Sequence, residues 1–192
     1  MKKIGLFFGT YNPVHVGHMV IANYMVEFTD MDEVWMVVTP QNPFKQKDSI
    51  LKDYDRLHLM QLAIGDDPRL KASNIEFDLP QPNYTVDTLV YLREKFPENN
   101  FALIMGADNL NHFHKWKNHE VILENHELYV YPRINSNEGG DLKDHYKVNY
   151  IEAPVMKISS SFIRKAIKDK RNVQHFMPSK VSEYIAETLL YK

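Results

Sequence analysis

Apolar residues lie along this chain in short runs that alternate with segments of helical spacing. The near-continuous runs predict buried β-strands at residues 3–8, 33–38, 70–77, 101–105, 127–131 and 148–151. Helical spacing predicts helices at residues 16–28, 54–64, 85–95, 120–123, 160–168 and 179–190. Apolar strands separated by helices are typical of a mostly parallel sheet covered on both faces, so the pattern predicts an α/β fold.

This pattern also predicts where a ligand binds. In parallel sheets of this kind, ligands bind at the carboxyl ends of the strands, where the strand order reverses. Gly9, Gly106 and Pro132 each directly follow a predicted strand. We therefore expect their loops to share one edge of the sheet. The polar segment 133–147 is either a surface loop or a lid over such a site.

Composition narrows the class of protein. A chain of 192 residues with 44% hydrophobic and 25% charged residues predicts one soluble globular domain, residues 1–192. The net charge of −2 disfavours a nucleic-acid partner, and the lack of cysteine excludes disulfides and thiolate chemistry. No signal peptide is recognisable, and no apolar run reaches the roughly 20 residues of a membrane span. We expect a cytoplasmic protein without a membrane partner; whether it forms a homo-oligomer is left open.

The first motif joins the first predicted strand to the first predicted helix. Residues 9–18 read GTYNPVHVGH, with His15 and His18 three positions apart at the helix start. An imidazole N–H and the free amides of a helix start can hold phosphoryl oxygens together, and Gly17 leaves room for a phosphate. Two alternatives remain at this point: a pair of structural histidines, and a zinc site, which would need two further ligands.

The second motif reads ISSSFIR at residues 158–164. Its serines are typical of a helix N-cap, and the packed face of that helix would comprise Phe162, Ile163, Ala166 and Ile167. A helix N-cap accounts for the serines but gives no reason for an arginine at position 164, close to the helix start. Hydroxyl groups, free amides and a guanidinium at one helix start indicate a polyphosphate site formed by Ser160, Ser161 and Arg164.

These two motifs, about 150 residues apart, resemble the signature pair of the nucleotidyltransferase superfamily that carries the HxGH motif. The family patterns are G-[ST]-[FY]-[DN]-P-x-H-x-G-H and I-S-S-T-x-I-R, with Ser161 here in place of the threonine. P-loop and dinucleotide fingerprints are absent from the sequence. The resemblance implies a three-layer Rossmann-like nucleotidyltransferase fold and direct transfer of a nucleotidyl group.

Three further segments bear on the substrate. Residues 83–89 read NYTVDTL, in which Thr85 is a natural N-cap beside free amides that can bind an anion. Gly106 and Asp108 follow a strand, where the carboxylate would either cap a helix or bind ribose hydroxyls. Trp116 lies in a charged segment, as either a core anchor or a stacking platform for a flat ring.

Together these segments resemble bacterial nicotinate-nucleotide adenylyltransferases, over nearly the whole chain. That family shows Y-T-[VI]-D-T-L, then G-x-D and a tryptophan; residues 42–45, NPFK, resemble its N-P-x-[HK]-[KR] stretch, and Arg56 matches an arginine that opens the following helix. The chain departs from the family at His119, where a second aromatic residue is common. It departs again at Pro132-Arg133, where the order of an R-P turn is reversed, so no role is carried over to Arg133.

The resemblance implies adenylyl transfer from ATP to nicotinate mononucleotide, with Mg²⁺ on the ATP phosphates and no metal ligand from the protein. The mononucleotide phosphate is already a nucleophile, so the protein must align two polyanions and stabilise charge at the α-phosphorus. The implied catalytic residues are His15, His18 and Arg164. The implied ATP contacts are Gly9, Thr10, Tyr11, Gly17, Gly106, Asp108, Ser160 and Ser161. The implied contacts of the mononucleotide are Lys45, Tyr84, Thr85 and Trp116.

Two alternative functions remain open from the sequence. The first is another adenylyltransferase with the same motifs, acting on nicotinamide mononucleotide or phosphopantetheine. Phosphopantetheine enzymes are usually shorter and lack the NYTVDTL and tryptophan segments. The second is a nucleotide-binding regulator that has lost catalysis, which the intact His15, His18 and Arg164 disfavour.

Overall fold

A computed structural model describes residues 1–40, 50–134 and 142–192, and the strands of these residues form one parallel sheet. The sheet order is β3-β2-β1-β4-β5-β6, and each neighbouring pair is parallel. The strands are β1 (Lys3–Gly9), β2 (Glu33–Val38), β3 (Leu70–Ser73), β4 (Asn100–Gly106), β5 (Leu128–Tyr131) and β6 (Val148–Tyr150).

Helices cover both faces of this sheet. They are α1 (Val16–Phe28), α2 (Asp53–Ile64), α3 (Thr85–Lys95), α4 (Ala107–Leu110), α5 (His119–Asn125), α6 (Ser160–Lys168) and α7 (Ser179–Thr188). Buried residues of α1, α2, α6 and α7 belong to one apolar cluster, and those of α3, α4 and α5 belong to another. The predicted three-layer α/β fold is therefore confirmed. Among the described residues, no helix is both long enough and apolar enough to cross a bilayer.

The central strands are apolar at successive positions because both of their faces are covered. In β2, Val34 and Met36 pack in one cluster while Trp35 and Val37 pack in the other. Each fully buried side chain of this size contributes about 1.5–3 kcal/mol. Glu33 is buried at the start of the strand, where it forms ion pairs with two lysines. A continuous apolar run is thus the expected signature of this strand.

Some predicted boundaries were wrong. The third strand ends at Ser73 rather than at residue 77, because the chain turns there and Phe77 N donates to Asn74 O at 2.9 Å. The predicted helix at 120–123 extends over His119–Asn125. Phe162, expected on the packed face of α6, is 49% exposed and contacts Phe176 edge-on.

The strand order reverses between β1 and β4. Their parallel pairing brings the carboxyl ends at Gly9 and Gly106 to the same edge, and Tyr131 of β5 pairs with Gly106. The prediction that these loops share one edge is confirmed. A crevice at this reversal is the expected ligand site of a doubly wound sheet.

Candidate active site

The loop between β1 and α1 is held from below by a buried arginine. Arg56 is fully buried, and its Nη1 donates to the carbonyl oxygens of Thr10 at 2.6 Å and Thr39 at 2.8 Å. Its Nε donates to Leu51 O at 3.1 Å, and its Nη2 pairs with Asp53. Because a buried guanidinium needs such partners, it fixes the loop in one conformation.

Tyr11, for which the resemblance implied a contact with ATP, is not among the described residues that line the cavity, and that contact stays a prediction. Its side chain is 2% exposed, and its hydroxyl donates to Phe7 O. Its ring contacts His18 edge-on at 4.9 Å between centroids. The ring occupies space that only glycine leaves free, since a Cβ at Gly9 would lie 2.9 Å from Tyr11 Cζ.

His15 and His18 stack on each other at the start of α1. Their ring centroids are 3.7 Å apart at an interplanar angle of 22°. The backbone N–H of His15 donates to Nδ1 of His18 at 3.2 Å, so in neutral His18 the proton is on Nε2. Nδ1 of His15 is buried and has no hydrogen-bond partner within the described part of the chain. A Cβ at Gly17 would lie 3.1 Å from that nitrogen, so this glycine makes room for the imidazole as well as for a ligand.

Both histidines are neutral near pH 7 in the absence of a ligand. Burial lowers the pKa of His15 to about 4, and the positive charge of Arg133 adds to this effect. Burial, His15 and Arg133 together hold the pKa of His18 well below its usual value. An arriving polyanion acts in the opposite direction, because negative charge favours the protonated imidazole.

The two sequence motifs meet at the start of α6. Ser160 Oγ donates to Pro13 O at 2.8 Å, and Arg164 Nη1 donates to Asn12 O at 2.7 Å. Arg164 Nη2 also donates to Ser161 Oγ at 3.3 Å. The helix is capped by Ser159, whose Oγ accepts from the N–H of Phe162 at 3.2 Å. Direct hydrogen bonds therefore join segments about 150 residues apart.

A cavity of about 610 Å³ opens between these two motifs. Its polar wall is formed by Thr10, Asn12, His15, His18, Arg133, Ser159, Ser160, Ser161 and Arg164. Among the described residues that line it, two are arginines and none is a carboxylate. Hydroxyls, guanidinium groups and the free amides of a helix start are donors, so the cavity suits a ligand with several phosphates.

Arg133 is a residue that the motifs did not identify. It lines the cavity, its Nη2 donates to the hydroxyl of Tyr131 at 3.1 Å, and its Nε lies 3.5 Å from Asp108 Oδ1. A Cβ at Gly106 would lie 2.3 Å from that carboxylate oxygen, so the glycine permits the pairing. Gly106 and Asp108 thus adjoin the cavity through Arg133 and lie outside its wall. The sequence did contain one signal for Arg133, because a positively charged residue close behind a predicted strand lies at the ligand-binding edge of the sheet.

A second group of predicted residues lies at the start of α3. Tyr84, and not Thr85, is the N-cap residue, with extended backbone at φ −113° and ψ 136°. Thr85 begins the helix, and its amide and the next one have no intrahelical acceptor. Lys117 joins the tryptophan segment to this point, since its Nζ lies 2.9 Å from Asp87 Oδ2 and 4.6 Å from the centroid of the Tyr84 ring.

Trp116 is half-buried, consistent with both interpretations of an indole in this segment. Its ring centroid is 5.3 Å from that of Phe113, which is fully buried. His119 contacts the ring of Phe113 edge-on. Lys45 lies outside the described residues. No group of three or more potential metal-ligating side chains occurs in residues 1–40, 50–134 and 142–192.

The comparisons with known proteins agree with the motifs. A family model described as cytidylyltransferase-like matches residues 6–166. A protein of Flavobacterium psychrophilum, named probable nicotinate-nucleotide adenylyltransferase, is 58% identical over 191 residues, which are 99% of each chain. A protein of the same name from Flavobacterium johnsoniae is 56% identical over 191 residues, again 99% of each chain. The chain belongs to the nicotinate-nucleotide adenylyltransferase family.

A solved structure supports the fold of this family member. Plasmodium falciparum nicotinic acid mononucleotide adenylyltransferase complexed with NaAD matches it with a TM-score of 0.84 and 20% identity, covering 100% of this chain and 98% of that one. At that identity the match concerns the fold alone. The resemblance to nicotinate-nucleotide adenylyltransferases drawn from the motifs is confirmed by the relatives.

Proposed function

We propose that this protein transfers the adenylyl group of ATP to nicotinate mononucleotide, giving nicotinate adenine dinucleotide and pyrophosphate in NAD synthesis. One observation carries the proposal: Ser160 and Arg164 bond directly to the loop that precedes His15 and His18, around a cavity without carboxylates among its described residues. The names of the relatives support the substrate pair.

The triphosphate of ATP fits the start of α6. Ser161 and Arg164 offer hydroxyl and guanidinium donors for the β- and γ-phosphates. Ser160, whose hydroxyl proton is donated to Pro13 O, contributes its backbone amide at the helix start. Arg133, which also lines the cavity, supplies a second guanidinium. Because no carboxylate lines the described wall, we assign the Mg²⁺ to ATP itself, so that MgATP is the substrate.

His15 and His18 are assigned to the α-phosphorus. The Nδ1 of His18 is occupied as an acceptor, which leaves Nε2–H as the donor to a phosphoryl oxygen. No side chain has to act as a base, because the mononucleotide phosphate is the nucleophile. The protein holds that phosphate in line with the α-phosphorus and stabilises the charge that develops there.

The adenosine is assigned to the β1 and β4 ends, at Gly9, Thr10, Gly106 and Asp108. Thr10 lines the cavity, and Asp108 lies at its border, paired with Arg133. A carboxylate in this position can accept hydrogen bonds from ribose hydroxyls while the guanidinium turns to phosphate.

The mononucleotide is assigned to Tyr84, Thr85 and Trp116, with Lys45 implied by resemblance. Free amides at the start of α3 can bind the nicotinate carboxylate, and the positive end of the helix favours it. The negative charge of Asp87 is compensated by Lys117 at 2.9 Å. The half-exposed indole of Trp116 would stack on the pyridine ring.

The test is pyrophosphate release by the purified protein with Mg²⁺, offering ATP or CTP with nicotinate mononucleotide, nicotinamide mononucleotide or phosphopantetheine. Mass spectrometry identifies the product. We expect nicotinate adenine dinucleotide from the ATP and nicotinate pair. Turnover only with CTP or only with phosphopantetheine would contradict the proposal, and no turnover with any pair would favour the regulator.

We also propose that the protein works in the cytoplasm, where its substrates are soluble.

A further inference from the structure

A buried carboxyl group lies beside the start of α3 that none of these assignments uses. Glu76 follows β3, and its side chain is 2% exposed. Its Oε1 lies 2.8 Å from the hydroxyl of Thr88, which is fully buried one turn into α3. Its Oε2 is buried and has no hydrogen-bond partner among the described residues. A carboxylate so poorly solvated is costly, so the geometry favours the neutral acid unless a cation lies nearby.

Among the described residues, the groups around Glu76 supply no such cation. Burial raises the pKa of Glu76 to about 7, and within the described part of the chain the hydroxyl of Thr88 is the group that lowers it. The titratable side chains on the surrounding segments point to solvent: Asp78 in the same loop, Asp87 on α3, and Tyr54 of α2, which contacts the residue after Glu76. The carboxyl group therefore responds mainly to its own burial.

The position of the proton matters because the hydroxyl of Thr88 has one proton and two acceptors. Its Oγ1 lies 2.8 Å from Glu76 Oε1 and 3.4 Å from the carbonyl oxygen of Tyr84, the N-cap of α3. An ionised Glu76 takes that proton. A neutral Glu76 donates its own proton to Oγ1, and Thr88 then donates to Tyr84. Asn83 adds a tie, since its Nδ2 donates to the backbone oxygen of Glu76 at 3.2 Å.

We propose that Glu76, as a neutral carboxylic acid, is a positioning residue that holds the start of α3 for the acid mononucleotide. The inference rests on the proposed function, which places the nicotinate carboxylate at the amides of that helix start. The side chain of Glu76 bonds to Thr88 and its backbone oxygen to Asn83, on either side of the N-cap Tyr84. As a neutral acid, its carboxyl group adds no buried negative charge beside the first turn of α3. Its ionisation weakens binding of nicotinate mononucleotide and leaves ATP, held by α6, unaffected.

The test compares Glu76→Gln with wild type from pH 6 to pH 8.5, measuring KM for nicotinate mononucleotide and for ATP. Glutamine keeps the shape and donates to Thr88 but carries no charge at any pH. We expect KM for the mononucleotide to rise several-fold across pH 7 in wild type, relative to its value in Glu76→Gln, with KM for ATP equal in both. Ionisation of the substrate phosphate affects both proteins equally and cancels.

Two further variants test the path through Thr88. Glu76→Leu and Thr88→Val each remove the hydrogen bond at similar volume, and we expect each to raise KM for the mononucleotide about tenfold with little change for ATP. Thr88→Ser keeps the hydroxyl group, so its KM for the mononucleotide should stay close to that of wild type. Identical pH profiles of KM in wild type and Glu76→Gln would overturn the inference, and so would equal effects on both substrates. If Glu76→Leu does not fold, the Glu76→Gln profile decides. Absence of nicotinate turnover by wild type would refute the proposed function instead.

Discussion

At the scale of the residue, His18 is held in one orientation by contacts on several sides. Its Nδ1 accepts the amide of His15 at 3.2 Å, its ring stacks on that of His15, and Tyr11 contacts it edge-on. A hydrogen-bond donor that is oriented before the substrate binds does not have to reorganise during the reaction, so no free energy is needed to reorient it. This rigidity is what the role at the α-phosphorus requires.

His18→Ala should lower kcat by about 10²–10³-fold while weakening ATP binding much less, because the lost donor acts mainly on charge that grows in the transition state. Steady-state kinetics and ATP titration measure the two effects. His175→Ala, which removes an exposed histidine outside the cavity, is the matched control. A kcat within threefold of wild type would remove His18 from the mechanism.

Arg164→Ala should chiefly weaken ATP, by about 1.5–3 kcal/mol, since a charged hydrogen bond to phosphate is lost. Affinity for nicotinate mononucleotide alone should barely change. Calorimetry on both ligands gives the comparison, with Lys165→Ala on the exposed side of the same helix as control. Because Arg164 also bonds to Asn12 O, circular dichroism and thermal unfolding check that the variant keeps its structure. Equal loss for both ligands in an intact variant would contradict the triphosphate assignment.

At the scale of the element, the sequence predicted best where burial is uniform. The bounds of β2 were correct because strands covered on both faces are apolar at every position. The third strand was predicted too long because the apolar residues Ile75 and Phe77 pack on opposite clusters from a turn, which a linear pattern does not distinguish from a strand. The short α4 was missed because four residues show no helical period.

The candidate site was predictable only as far as its local motifs extend. His15, His18, Ser160, Ser161 and Arg164 were identified together, and the structure brings them around one cavity. Arg133 was not identified, because its place in the wall follows from the pairing of β5 with β4. The supports at Arg56, Glu76 and Lys117 depend on contacts between distant elements, which local spacing does not reveal.

The tie between Lys117 and the start of α3 gives a prediction for this element. Lys117→Ala exposes the charge of Asp87 beside the helix start, so the preference for the acid mononucleotide over the amide should fall about two- to fivefold. The effect is small because both side chains are about half exposed. Adding Asp87→Asn to Lys117→Ala should restore the ratio of kcat/KM for the acid mononucleotide to that for the amide. A ratio unchanged in Lys117→Ala would place the nicotinate carboxylate elsewhere.

At the scale of the whole molecule, buried histidines link the site to stability. The pKa of His15 is about 4 in the folded protein and about 6.5 when exposed, so between these values the unfolded chain binds more protons. Its contribution to stability is therefore lost as pH falls from about 6.5 to 4. Glu76 acts in the opposite direction, losing its contribution as pH rises through about 7.

His15→Gln removes the titrating imidazole, so comparison with wild type measures the contribution of His15 to the pH dependence of stability. Relative to wild type, the variant should gain up to about 3 kcal/mol in the free energy of unfolding between pH 7 and pH 4. Denaturant unfolding at several pH values measures the difference, and bound MgATP should reduce it because phosphate stabilises the charged imidazole. A difference independent of pH would show that His15 titrates normally in the folded protein.

The choice of nicotinate mononucleotide as substrate is tested by the ratio of its kcat/KM to that of nicotinamide mononucleotide, with MgATP saturating. The free backbone N–H groups of Thr85 and Val86 favour the carboxylate over the amide, and we expect a ratio of at least about 10², on the order of 3 kcal/mol. Trp116→Ala should raise KM for both and leave the ratio intact, because stacking does not distinguish acid from amide. Equal efficiency on the two mononucleotides would contradict the account.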